Sequence, residues 1–207
     1  MNPYKQPLSV KILIAILIPI FKLLFRYEII GKENLPKSGG IVYASNHIAF
    51  SDPILWILSI RSRIRYMAKA ELFDHAFLRG VFKLAGVFPV QRGKASVNSV
   101  NLAIDIVKNG GILGIFPEGT RSKDGKPARA KSGVAYIANA TGADVVPMAI
   151  VTKGKVKPFR KVKLYVGKPI PHSEIHFEGT DRKGLRNASE RIMGEITKLW
   201  EEGQNEL

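Results

Sequence analysis

The sequence contains no cysteine among its 207 residues, and this absence excludes several kinds of chemistry. Disulfide bridges, thiolate metal ligands and a cysteine nucleophile are all ruled out. There is no internal repeat, and neither a P-loop nor a GxGxxG turn is present. We therefore do not expect a nucleotide-binding domain, and we expect neither a cofactor nor a metal site.

Acidic residues are also scarce, with 17 Asp and Glu against 32 Lys and Arg, which gives a formal net charge of +15. Such a charge indicates an anionic partner. Nucleic acid, anionic lipid and an acidic carrier protein all satisfy this condition on charge alone. No zinc-finger or RNA-recognition pattern occurs, so we expect no nucleic-acid partner.

The N-terminal segment, residues 1–26, has no acidic residue and no apolar run of full transmembrane length. Its uninterrupted apolar run covers residues 12–21, between Lys11 and Lys22. This run is shorter than the ~20 residues that span a bilayer as a helix. With 3.6 residues per turn, the basic side chains of such a helix share one narrow stripe. The pattern predicts a helix buried in one leaflet with its lysines at the headgroups, and a tilted spanning helix is the alternative.

From residue 27 onward, strand-like and helix-like segments alternate. The pattern predicts strands at residues 27–30, 41–44, 64–68, 87–90, 112–116, 145–151 and 162–166. It predicts helices at residues 53–60, 71–85, 97–107, 130–141 and 185–199. This alternation is typical of an α/β fold. We therefore expect residues 27–207 to form a single catalytic domain with a mixed, partly parallel sheet flanked by helices.

A histidine and an aspartate lie close together after the second predicted strand. Four residues separate His47 from Asp52, and Asp52 and Pro53 suit the cap and first turn of the next helix. A loop that ends at a helix cap can fold back and bring the carboxylate to the imidazole. The carboxylate would then orient the ring and leave the other nitrogen as a base. The simpler alternative is that Asp52 only caps the helix and His47 only hydrogen-bonds the loop.

A second loop, with the run FPEGTRS at residues 116–122, follows the fifth predicted strand. Gly119 lets the backbone approach a ligand closely, and the planar fork of Arg121 suits a phosphate group. Within so basic a loop, we expect Glu118 to have a defined partner, such as Arg121, Arg92 or a substrate hydroxyl. The alternative is a glycine turn with solvated charges.

Together, these segments resemble the glycerolipid acyltransferase family, which includes bacterial 1-acylglycerol-3-phosphate acyltransferases. The four motifs of that family are matched in order by Asn46, His47 and Asp52; by Gly86 and Arg92; by residues 116–122; and by Pro147 within an apolar run. One departure is Gln91, where many members carry an acidic residue, so any role of that acid is in doubt here.

The resemblance implies transfer of a fatty acyl group from acyl-ACP or acyl-CoA to the sn-2 hydroxyl of lysophosphatidic acid. His47 would act as the base, Asp52 would orient it, and Lys69 would stabilise the oxyanion unless it is a solvated surface lysine. The resemblance further assigns the acceptor phosphate to Arg92, Glu118, Gly119, Thr120 and Arg121, and a lining position in the acyl or acceptor pocket to Pro147.

Other interpretations remain open at this point. The acceptor could be another lysolipid or glycerol 3-phosphate, and the chain could instead be a non-enzymatic membrane-binding module. If it is the enzyme, we expect it at an anionic membrane surface on the cytoplasmic face, where donor thioesters are available. The basic run at residues 153–163 is either a solvated segment or a contact for anionic lipid or an acidic carrier.

Overall fold

The computed structural model describes residues 8–60, 64–76, 79–80, 82, 86–90, 97–179 and 181–207. Its helices are α1 (Leu8–Phe25), α2 (Asp52–Ile60), α3 (Val97–Lys108), α4 (Gly133–Thr141), α5 (His172–Ile175) and α6 (Arg182–Asn205). Its strands are β1 (Tyr27–Ile30), β2 (Ile41–Ser45), β3 (Ile64–Lys69), β4 (Val87–Val90), β5 (Ile112–Ile115), β6 (Val145–Thr152) and β7 (Val162–Val166).

The strands form one seven-stranded sheet in the order β1-β7-β6-β2-β5-β3-β4. Neighbouring strands are parallel except for β6 and β7, which are antiparallel. The strands β2 to β6 therefore end at one edge of the sheet, which we call the carboxyl edge, and β1 and β7 begin there. The predicted α/β fold with a mixed sheet is confirmed.

Two apolar layers cover the faces of the sheet. Val42 of β2 belongs to a core cluster that also contains residues of α3, α4 and α6. The next residue, Tyr43, points to the other face and joins Leu55 and Trp56 of α2 in a second cluster. Successive side chains of a strand alternate between faces, so β2 is buried along its whole length. This packing fixes the loops that leave the ends of the central strands.

The bounds of three helices differ from those predicted by more than one residue. The last helix, expected over residues 185–199, covers Arg182–Asn205. The helix expected over residues 71–85 begins instead with a 3-10 turn, Ala70–Phe73, and residues 77, 78, 81 and 83–85 lie outside the described part. The helix expected from residue 130 begins at Gly133, since the Lys131 N–H donates to the Pro117 carbonyl at 2.8 Å. That hydrogen bond holds the segment against the preceding loop in a non-helical conformation.

The carboxyl end of helix α1 packs on the domain, where Phe25 contacts the second core cluster. An apolar stripe along the helix is exposed; it contains Leu8, Ile12, Ile16, Ile20 and Leu23. Within the described ranges of the chain, no helix has the length and apolarity needed to cross a membrane. The membrane-associating role of residues 1–26 stays a prediction, and residues 1–7 lie outside the described part.

Candidate active site

Two neighbouring loops leave the carboxyl edge side by side. One follows β2 and carries His47, and the other follows β5 and contains residues 116–122. Because β2 and β5 are adjacent and Ala44 is in register with Ile115, the two loops start next to each other. Side chains that are far apart in the sequence therefore meet at this edge.

The central pair of the site is His47 and Asp52. The His47 Nδ1 atom lies 2.8 Å from Asp52 Oδ2, and the Asp52 side chain is fully buried. The same oxygen accepts the backbone N–H groups of Ile48 and Ala49 at 2.7 and 2.8 Å. With Nδ1 held by this carboxylate, Nε2 is the ring nitrogen left to exchange a proton with a substrate. The structure thus brings the two residues together as their spacing predicted.

The helix-capping role expected for Asp52 is wrong. Asp52 is the first residue of α2, and its carboxylate turns back to the amides of residues 48 and 49. The Ser51 carbonyl, in contrast, accepts the Ile54 and Leu55 N–H groups of the first helical turn. The hydrogen bonds of the carboxylate are thus made with the loop that carries His47 and not with the helix.

Asn46 fixes the start of this loop. Its buried side-chain amide donates from Nδ2 to the Ile150 carbonyl at 2.9 Å and accepts the Ile150 N–H at Oδ1 at 2.8 Å. These two hydrogen bonds extend the contact between β2 and β6 by one step beyond the end of β2. The motif match included Asn46, but it gave no sign of a partner 104 residues away.

Phe116 supports the imidazole from the neighbouring loop. The rings of His47 and Phe116 are stacked, with their centroids 4.1 Å apart and their planes inclined by 17°. Trp56 of α2 packs behind Phe116, with ring centroids 4.9 Å apart. The Ser122 N–H also donates to the His47 carbonyl at 2.7 Å. The second loop therefore restrains both the ring and the backbone of His47.

Glu118 lies beneath His47 and is 5% exposed. Its Oε1 atom accepts the His47 N–H at 3.1 Å, whereas Arg121, one of its expected partners, is exposed. Among the described residues, no ion pair involves Glu118. Burial raises the pKa of the Glu118 carboxyl to about 7, against the opposing effect of the His47 and Ala128 N–H groups. A buried carboxyl that keeps its proton up to about pH 7 is a poor ligand for phosphate.

The second loop contains a tight glycine turn at Gly119. Gly119 has a φ of 69°, and its N–H donates to the Phe116 carbonyl at 3.0 Å. A Cβ at Gly119 would lie 3.0 Å from Nζ of Lys131, so the Lys131 side chain passes over this turn. The sequence reasoning did not select Lys131. Thr120 and Arg121 are exposed on the same loop, and together these residues present positive charge beside the glycine backbone.

The other predicted site residues are less closely associated with this pair. Lys69 ends β3 at the carboxyl edge, and its Nζ lies 3.0 Å from Oε1 of Glu71 in a half-exposed ion pair. Pro147 is buried within β6, and its carbonyl accepts the Gly167 N–H at 2.8 Å, which is the contact of a core residue. Arg92 lies outside the described residues. In the described ranges, no group of His, Asp and Glu side chains could hold a metal ion.

An α/β domain with a histidine–aspartate pair and a basic glycine turn at one sheet edge defines the class of this molecule. A family model described as Acyltransferase matches residues 26–151, more than half of the chain. The chain therefore belongs to this acyltransferase family.

Relatives with the same family name and a solved structure with the same fold accompany this match. The 1-acyl-sn-glycerol-3-phosphate acyltransferase of Bacillus subtilis (strain 168) is 34% identical over 160 residues, which cover 75% of this chain and 79% of that protein. A chloroplastic enzyme of the same name from Brassica napus is 36% identical over 137 residues, covering 65% of this chain. The matched parts amount to 40% of the Brassica napus protein and 45% of an Arabidopsis thaliana relative. The crystal structure of the Thermotoga maritima 1-acyl-sn-glycerophosphate acyltransferase shares the fold, with a TM-score of 0.68 over 92% of this chain and 77% of that one, at 24% identity.

Proposed function

We propose that this protein transfers a fatty acyl group from the thioester of acyl-ACP or acyl-CoA to the sn-2 hydroxyl of lysophosphatidic acid. The product is phosphatidic acid, a precursor of phospholipids. The observation that carries the proposal is the 2.8 Å contact between His47 Nδ1 and the buried Asp52 carboxylate. The names of the relatives support lysophosphatidic acid as the acceptor.

In the proposed mechanism His47 acts as a general base. Its Nε2 atom takes the proton of the acceptor hydroxyl as the hydroxyl oxygen attacks the thioester carbonyl. The tetrahedral intermediate then collapses, the carbon–sulfur bond breaks, and the imidazolium returns the proton to the departing thiolate. Asp52 stabilises the imidazolium and keeps Nε2 directed at the substrate. Direct transfer of this kind requires no acyl-enzyme, which agrees with the absence of cysteine.

The oxyanion of the intermediate needs a hydrogen-bond donor, and we assign this role to Lys69. Lys69 lies at the carboxyl edge, as His47 does, but its ammonium is paired with Glu71 at 3.0 Å. The assignment therefore requires the Lys69 side chain to exchange this exposed partner for the substrate. An exposed ion pair of this kind is weak, so the exchange costs about 1 kcal/mol or less.

The acceptor phosphate binds at the second loop in this proposal. Arg121 supplies a bidentate fork, the Gly119 turn lets the phosphate reach the backbone, and Thr120 supplies a hydroxyl. Lys131 adds an ammonium above the same turn. We assign Arg92 to the same phosphate site from the motif match alone.

Glu118 takes a different role from the phosphate ligand expected from the sequence. Its contact with the His47 N–H supports a positioning residue, which holds the backbone from which the base projects. A neutral or weakly ionised carboxyl at this point also avoids repelling the phosphate. The assignment of Pro147 to the acyl or acceptor pocket rests on the family resemblance alone.

We further propose that residues 1–26 attach the domain to the cytoplasmic face of the membrane. The exposed apolar stripe of α1 supports burial in one leaflet, because it offers lipid a continuous apolar surface. The acceptor is itself a membrane lipid, so the attachment would place the enzyme where its substrate lies.

The direct test offers the purified full chain lysophosphatidic acid, other lysolipids and glycerol 3-phosphate, each with acyl-CoA and with acyl-ACP. Products are identified by mass spectrometry. We expect phosphatidic acid as the main product and a loss of roughly 10²–10⁴-fold in the His47→Ala variant. If glycerol 3-phosphate is the only substrate acylated, it is the acceptor and lysophosphatidic acid is not. An unaltered rate in His47→Ala would remove the general-base role.

A further inference from the structure

A strongly basic loop connects β6 and β7 at the carboxyl edge. This loop, residues 153–161, contains no acidic residue, and all its basic side chains are exposed: Lys153, Lys155, Lys157, Arg160 and Lys161. Among the described residues, only Lys161 of this set forms an ion pair, with Glu28 at 3.1 Å. The loop therefore presents a largely unneutralised positive surface beside the candidate active site.

Besides the ion pair of Lys161, two further contacts fix the loop to the domain. Val156 packs against the second core cluster, so one side chain of the loop is anchored in the interior. The Phe159 N–H donates to the carbonyl of Leu24, near the end of α1. The basic loop and the carboxyl end of α1 are thus held next to each other.

The tip of the loop exposes an aromatic ring in a strained turn. The Arg160 N–H closes the turn onto the Lys157 carbonyl at 3.2 Å, with Pro158 and Phe159 as the central residues. Phe159 has a φ of 66°, a conformation that a type II turn normally gives to glycine, and the residue is 69% exposed. A bulky residue in this conformation is rare and costs about 1–3 kcal/mol. The ring is thus presented to the surroundings despite an unfavourable backbone.

The carboxyl end of α1 and the basic loop lie together at the carboxyl edge, the edge from which the loops of the active site also emerge. Adjacent apolar and basic groups fit the interface of a bilayer that contains anionic lipid. An acidic carrier protein would match the charges, but an exposed Phe beside an apolar helix favours lipid.

We propose that the basic loop, residues 153–161, is a second membrane contact, which binds anionic phospholipid headgroups and inserts Phe159 at the interface. With α1, it gives the domain two points of attachment and turns the His47 loop toward the bilayer. This inference rests on the proposed function at a membrane surface, but its main measurement, binding to vesicles, requires no turnover.

The experiment measures binding of the full chain to vesicles by co-sedimentation. One set of vesicles contains phosphatidylcholine alone, and the other an equal mixture with phosphatidylglycerol. We expect Lys155→Gln/Lys157→Gln to lower the partition coefficient for the anionic vesicles by about 25-fold, at roughly fivefold per cation. The matched control, Lys108→Gln/Lys168→Gln, makes the same charge change at the opposite sheet edge and should have little effect.

Variants at Phe159 test the insertion separately. Phe159→Gly relieves the turn, so it should keep or raise the unfolding temperature and yet weaken vesicle binding. Phe159→Trp should keep binding, and its extra emission should shift to the blue on anionic vesicles, relative to the wild type with Trp56 and Trp200. These results support the proposal if the loop variant also loses more binding to anionic vesicles than its control does.

Two results would overturn it. Equal vesicle binding by the loop variant and its control would show that binding depends on the net charge of the protein and not on the basic loop. Unchanged vesicle binding together with a raised KM for acyl-ACP, but not acyl-CoA, in Lys155→Gln/Lys157→Gln would assign the loop to the carrier protein. Neither result depends on which lipid is acylated, so a failure here is distinct from a failure of the proposed reaction.

Discussion

The imidazole of His47 lies almost parallel to the ring of Phe116, with centroids 4.1 Å apart. The two residues come from different loops, and Phe116 is backed by Trp56 of α2. A ring stacked in this way limits tilting of the imidazole. The contact of Nδ1 with the Asp52 carboxylate limits rotation of the imidazole within its own plane. The imidazole is therefore oriented before substrate arrives, which would reduce the cost of reaching a reactive geometry if His47 is the base, as we propose.

Replacing Phe116 tests this orientation. We expect Phe116→Leu to lower kcat by about 2–10-fold, since aromatic contacts of this kind are worth about 0.5–1.5 kcal/mol. KM for the acyl donor should change little, and Phe116→Tyr, which keeps a ring, should restore most of the rate. Steady-state kinetics and a pH–rate profile check the prediction. A rise in KM with kcat unchanged would mean that Phe116 binds substrate instead.

The contact between His47 and Asp52 was predictable because both residues belong to one short loop with a helix at its end. The general position of the second loop was also predictable, since the carboxyl ends of parallel strands meet at one edge of the sheet. The periodicity of apolar residues predicted most helices and strands correctly. It did not predict the residue at which α4 begins. Its start depends on the hydrogen bond from Lys131 to Pro117, a tertiary contact that local pattern does not reveal.

The partner of Glu118 could not be predicted in the same way. A glutamate among lysines and arginines suggests an ion pair, yet its partner is a backbone N–H that is 71 residues away. Burial of a single side chain inside a polar loop has no signature in the sequence. The same holds for Asn46, whose partner lies on β6, and for Lys131, whose side chain reaches back over Gly119.

Arg121 provides a test of the acceptor site. Arg121→Ala should raise KM for lysophosphatidic acid by roughly 10–100-fold, the effect of losing a charge-assisted hydrogen bond, and should leave KM for the thioester nearly unchanged. Arg121→Lys should recover only part of the loss, because it lacks the planar fork. Initial rates with each substrate varied in turn measure the two constants. Equal effects on both would indicate a structural role for Arg121.

The buried amide of Asn46 makes a stability prediction. Asn46→Ala leaves the N–H and the carbonyl of Ile150 without the side-chain partners that they now have. Since each buried unsatisfied group costs about 1–3 kcal/mol, we expect a loss of about 2–4 kcal/mol in unfolding free energy. Urea denaturation followed by circular dichroism measures it. A loss below about 0.5 kcal/mol would show that water replaces the amide, and the exposed Asn187→Ala serves as a control.

Glu118 should make the stability of the fold depend on pH. Burial raises the pKa of its carboxyl from 4.5 to about 7, with a smaller contribution from the nearby Asp52 carboxylate. Between these two values the folded protein keeps a proton that the unfolded chain has released. Stability must therefore fall as the pH rises from about 4.5 to about 7, and the fall must level off above the folded pKa.

The variant Glu118→Gln isolates this effect, because its amide oxygen still accepts the His47 N–H but cannot ionise. Urea unfolding at about pH 5 and about pH 8 should show wild type losing on the order of 1–3 kcal/mol more than Glu118→Gln over that interval. Glu118→Gln should then be the more stable protein at the higher pH. Its kcat should stay within about threefold of wild type if Glu118 only positions the His47 backbone, whereas a general acid–base role predicts a loss of about 10²-fold or more. Parallel pH dependence in the two proteins would mean that Glu118 is ionised in the fold and that another group supplies the slope.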